Sequence, residues 1–172
     1  MPNPLTPWHD FAVLLGTAAA TLIGLLFVAA SVGTNVFTME RQSAVRVFLS
    51  PSVVHFCTIL SATLITLAPI PTALTLGLLI TASGLLGAIY VVLVWRMMIR
   101  DGYAKTLDLT DRLWYASAPA LGYATLIAAG ITLALNLAPA CILYAAALAL
   151  LLGAGIRNAW DITTWIILKT GA

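Results

Sequence analysis

The sequence predicts an all-α, polytopic transmembrane bundle of five spans, and three observations predict it. The chain is 62% hydrophobic and 8% charged, whereas a soluble domain carries roughly 25% charged residues. A chain of 172 residues cannot fold so much apolar surface inward, so lipid must solvate much of it. The apolar runs are long enough to cross a hydrocarbon core of about 30 Å and are parted by proline brackets or charged segments. Laid out as five spans, they put all 8 Lys and Arg residues on one side, the signature of the positive-inside rule.

Span one is expected at about 11–32, a stretch without charge. Thr6 is placed to cap it, Pro7 suits the first helical position, and Asp10 falls in the first turn, where the helix dipole favours an anion. No basic segment or small-residue cleavage site precedes it, so it is expected to be retained and not removed as a signal peptide. Gly16, Ala20 and Gly24 recur at four-residue spacing, a small-residue face that lets helices approach closely in lipid, flanked by Thr17 and Thr21.

Residues 33–50 form the first connection, with Glu40, Arg41 and Arg46. Ser50-Pro51 repeats the cap-and-proline start, so span two is set at about 51–68, with room for 44–50 to lengthen it backward. The alternative is a four-span chain in which 51–68 is re-entrant, which would divide the basic loops between the two sides. Pro69-Ile70-Pro71 closes span two and opens span three at about 72–95, because proline lacks the amide hydrogen that a helix interior needs. The segment 96–112 is the one strongly charged stretch. Span four follows at about 113–135, with Pro119 expected to kink it. Asn136-Leu137-Ala138-Pro139 is a turn, and span five runs from about 139 to 156. The tail 157–172 is expected to continue span five as an interfacial helix.

Connections alternate sides. The N-terminus and the turns at 69–71 and 136–139 carry no Lys or Arg, whereas Arg41, Arg46, Arg96, Arg100, Lys105, Arg112, Arg157 and Lys169 share the other side. The expected topology is N-terminus outside, C-terminus in the cytoplasm, in a bacterial inner membrane. The whole chain, 1–172, is expected to be one bundle domain. Trp8 at the outer edge and Trp95, Trp114, Tyr115, Trp160 and Trp165 at the inner edge form the aromatic belts. Cys57 and Cys141 lie in apolar runs and are expected to be buried, inert thiols.

Few polar groups are left to carry chemistry. His55, Thr58, Ala62 and Thr66 share one helical face, a weakly polar stripe along span two. An ionisable group inside a span is a functional candidate by default. The bland reading is a hydrogen bond from His55 to Ser50, a nearby carbonyl or span five. At the inner face, Glu40, Arg41 and Arg46 and, at the end of span five, Arg157 and Asp161 suggest a crossed ion-pair network, Glu40 with Arg157 and Asp161 with Arg46. His9-Asp10 is a weak pair that helix capping explains. The sequence has no HExxH, no GxSxG and no phosphate loop, so no catalytic, metal or cofactor residue is assigned and no enzyme is expected.

Trp8-His9-Asp10-Phe11 and the following run from Gly16 to Val28, with Ser50–Phe56 and Arg157–Asp161, resemble small multi-span bacterial inner-membrane proteins of uncharacterised function. The resemblance covers nearly the whole chain and implies no activity. The expected role is a non-enzymatic membrane protein acting by helix–helix association, as an accessory subunit or modulator of a larger membrane complex or as a homo-oligomer. Its partners are lipid and other helices, not nucleic acid. The alternative is a homo-oligomeric ion channel, its pore lined by the His55-Thr58-Thr66 face or the Thr17-Thr21 face and its basic rim favouring anions.

Overall fold

The structure, a computed structural model, describes residues 5–32, 42–69, 72–100 and 113–170. Among these residues it is an all-helical bundle: α1 His9–Val32, α2 Gln42–Leu67, α3 Ala73–Arg100, α4 Ala118–Ala134 and α5 Ala140–Thr170. Four stretches are long and apolar enough to cross a membrane, Thr6–Ser31, Ala73–Arg100, Trp114–Ala134 and Ala140–Asp161, with a shorter apolar helix at Pro51–Leu67.

The ends of the helices differ from the sequence reading in instructive ways. Helix α2 is a single helix of 26 residues with Pro51 inside it, not a helix started by Ser50-Pro51. At about 1.5 Å per residue it is roughly 39 Å long; the backward extension over 44–50 is therefore present, and Pro51 costs it one backbone hydrogen bond. Helix α3 runs five residues past Trp95, to Arg100. Pro119 does not interrupt a long α-helix. Residues Leu113–Ser117 form a π-helical turn, and Pro119 then stands in the first turn of α4, where its missing amide hydrogen is not needed. Helix α5 continues without a break to Thr170, as the absence of Gly or Pro between Gly155 and Thr170 leads one to expect.

The turn from α4 to α5 is a Schellman motif. Asn136 takes φ 55°, its amide donates to the Leu133 carbonyl at 3.0 Å, and the Leu137 amide donates to the Thr132 carbonyl at 2.8 Å. These two bonds satisfy carbonyls that the helix end would leave open.

Helices α2, α3, α4 and α5 close a ring, each packed on the next, and α1 lies outside it against α2, with a light contact to α5. The ring is held by close backbone approach. A side-chain carbon on Gly77 of α3 would run into the Gly130 carbonyl and the Ala134 amide of α4, and one on Gly87 would run into the Tyr123 ring. Gly155 of α5 faces the Phe56 ring of α2. Small residues here let dispersion replace the hydrophobic drive that lipid removes. The interior is filled by residues such as Phe56, Ile59, Ile80, Leu126, Tyr144 and Leu148, all fully enclosed.

Candidate functional site

The site grows from the polar stripe of α2. Threonines in a membrane helix ordinarily return their hydroxyl hydrogen to a carbonyl one turn back, and both do so here. Thr58 Oγ1 donates to the Val54 carbonyl at 2.9 Å, and Thr66 Oγ1 donates to the Ala62 carbonyl at 2.8 Å. Each hydroxyl oxygen then still accepts, and each meets a tyrosine from a neighbouring helix. Tyr144 of α5 lies 2.8 Å from Thr66. Tyr123 of α4 lies 3.3 Å from Thr58 and 2.8 Å from His55 Nδ1.

The partner of His55 among the described residues is therefore a side chain of α4, neither a carbonyl nor a residue of span five; the Ser50 side chain lies outside the described residues. Tyr123 reaches it because its ring lies across Gly87 of α3, and the imidazole and phenol rings stand 5.5 Å apart between centroids. His55 is 1% exposed and Tyr123 is 0% exposed, so the contact is shielded from solvent and lipid.

One assignment of protons satisfies all three contacts. The Thr58 proton is committed to Val54, so Tyr123 must donate to Thr58. Tyr123 then has only a lone pair for His55, and Nδ1 must carry the hydrogen and donate to Tyr123 Oη. In that tautomer Nε2 is a bare acceptor, and it has no hydrogen-bond partner among the described residues. His55 lines a small cleft of about 10 Å³ with Pro51, Tyr90, Val91, Val94, Trp95, Met98 and Tyr115.

Two more buried residues carry side-chain atoms with no hydrogen-bond partner among the described residues: Ser52, at Oγ, and Asn158, at both amide atoms. Asn158 reads in the sequence as a member of the polar inner-face cluster with Arg157 and Asp161; the structure encloses it, at 0% exposure.

The other sequence candidates fall elsewhere. Gly16 packs on Thr63, whereas nothing approaches Gly24 within 4 Å and Ala20 is exposed. Helix α1 docks instead through Ala12, Leu15, Gly16 and Ala19, a face rotated from the Gly16-Ala20-Gly24 line. Arg157 Nε lies 3.4 Å from Asp161 Oδ2 along α5. Glu40, Arg41 and the Arg46 side chain, the other half of the expected network, lie outside the described residues. His9 Nδ1 and Asp10 Oδ1 sit 3.2 Å apart and exposed. Cys57 is exposed on the outside of the bundle and not buried. Among the described residues no group of three His, Cys, Asp or Glu side chains is arranged to hold a metal.

Compared with known proteins, the chain matches no family model, no curated protein and no solved structure.

Proposed function

We propose that this chain is a non-enzymatic, multi-pass protein of the bacterial inner membrane, N-terminus outside and C-terminus in the cytoplasm. It works by helix–helix association, as a homo-oligomer or as an accessory subunit of a larger membrane complex. One observation carries the reading. Of nine described glycines, seven sit where an added side-chain carbon would crowd a neighbouring helix, and only Gly24 and Gly153 meet nothing within 4 Å. In this chain a helical glycine otherwise marks a helix contact. Gly24, beside exposed Ala20, and Gly153, one turn below exposed Ala149, are therefore faces suited to a helix from another molecule.

The channel alternative draws less support from α2, because its polar stripe is closed by Tyr123 and Tyr144. A pore between copies would have to use the exposed Thr17-Thr21 face of α1.

Native mass spectrometry of the protein released from lipid nanodiscs tests the proposal. Oligomers, or a co-purifying membrane partner, are expected for the wild type and should be lost in Gly24→Leu or Gly153→Leu with thermal stability kept. Gly16→Leu should instead lower the stability of the single chain. A wild type that stays monomeric and partner-free in lipid, or association indifferent to both outer substitutions, would overturn the reading.

A further inference from the structure

We propose that Ser52, His55 and Asn158 form an internal hydration site at the basic end of the bundle, a small water cluster whose first member donates to His55 Nε2. The register of α2 on α5 places these residues together. Gly155 faces Phe56, and the two helices run antiparallel, as Thr66 against Tyr144 also requires. One turn from Phe56 toward the end that carries Arg96, Arg100 and Arg157 stands Ser52; one turn from Gly155 in the same direction stands Asn158. Ser52 lies angularly between Phe56 and His55 on the helical wheel, so it joins the α5 side of the seam to the imidazole.

All three side chains are enclosed, at 0% exposure for Ser52 and Asn158 and 1% for His55. Each carries a polar atom with no hydrogen-bond partner among the described residues: Ser52 Oγ, His55 Nε2, and Nδ2 and Oδ1 of Asn158. Buried polar atoms left alone are costly, and clusters of them are rare in folded chains. Their chemistry selects the occupant. The tautomer fixed by Tyr123 and Thr58 makes Nε2 an acceptor, Asn158 offers both donor and acceptor, and Ser52 offers either. The cleft of about 10 Å³ beside His55 is lined from the α3 side by Tyr90 and Val94 and not by Ser52 or Asn158, carries no charged side chain, and suits roughly one water, the member that meets the imidazole. A neutral, small group that can donate and accept several hydrogen bonds is required, and water meets each condition. On the opposite side of the imidazole, Tyr123 closes Nδ1.

The chain has two histidines, so His9→Gln leaves His55 as the sole imidazole. ¹⁵N-histidine NMR of this variant in lipid nanodiscs should show hydrogen on Nδ1, an unprotonated but hydrogen-bonded Nε2, and magnetisation transfer from water to the ring. Hydrogen on Nε2, or a ring with no transfer from water, would overturn the proposal. Asn158→Leu adds a second, independent reading. A hydrated site predicts a lower unfolding temperature and a moved Nε2 resonance. A raised unfolding temperature with the His55 spectrum unchanged would mean a dry, merely frustrated amide. Neither readout depends on whether the protein associates.

Discussion

His55 and Tyr123, 68 residues apart in sequence, meet at 2.8 Å across the bundle and tie α2 to α4. These helices are diagonal neighbours in the ring, so the contact spans the interior where little else joins them. Removing the phenol oxygen in Tyr123→Phe leaves the Nδ1 hydrogen without an acceptor. The expected loss is about 1–2 kcal/mol, since interhelical hydrogen bonds in membrane bundles reach about 1.7 kcal/mol and an orphaned buried donor adds its own penalty. Reversible unfolding in mixed micelles measures it. His55→Ala should cost less in the Tyr123→Phe background than in the wild type. Strictly additive losses would show that the pair contributes nothing beyond packing.

The polar stripe of α2 was legible because it is local: positions 55, 58, 62 and 66 share a face by helical geometry alone. Its partners were not. Tyr123 and Tyr144 sit in apolar runs, where a tyrosine counts as bulk, and nothing local says which helix a face will meet. Each phenol still needs a hydrogen-bond partner when buried, and that requirement, applied to mid-span tyrosines, is the signal that points to them. The same limit explains Gly16, Ala20 and Gly24. Four-residue spacing makes them one face on α1, but packing on α2 uses Gly16 and leaves the other two outside. Pro51 misled in the opposite direction, because a proline that starts helices in isolation is held inside α2 by its buried surroundings.

The α3–α4 seam should be the least tolerant of any added atom. At Gly77 the obstacle is backbone, the Gly130 carbonyl and the Ala134 amide and Cα, and neither can swing aside as a side-chain tip would. Gly77→Ala is expected to destabilise by about 1–3 kcal/mol, the range for overpacking a tight interior. Gly153→Ala is the control. With nothing within 4 Å of that position, the single chain should keep its stability or gain up to about 1 kcal/mol from helix propensity. Equal behaviour of the two variants would mean that α3 and α4 do not approach so closely.

Asn136 holds the α4–α5 turn with φ 55°, a conformation that glycine adopts freely and β-branched residues resist. Asn136→Gly should therefore be neutral or slightly stabilising. Asn136→Val should cost at least about 1 kcal/mol, because it forces a branched side chain into the left-handed region. The ordering of the unfolding midpoints, Gly at or above Asn and well above Val, is the measurement. Reversal of that order would mean that span four does not end in a Schellman turn.

The proposed topology makes a prediction at the C-terminal end of α3 and at the α4–α5 turn. Arg100 ends α3, and Leu137 lies in the connection at the opposite end of the bundle, exposed. Basic residues near helix ends are retained on the cytoplasmic side, so the turn should face the periplasm. The native thiols, Cys57 and Cys141, are replaced first, by Ala and Ser. A cysteine at position 137 should then react with a membrane-impermeant maleimide in cells whose outer membrane alone is opened. A cysteine at position 100 should react only after the inner membrane is breached. The reverse pattern would invert the protein in the bilayer, and labelling of both positions from outside would rule out α4, which lies between them, as a complete span.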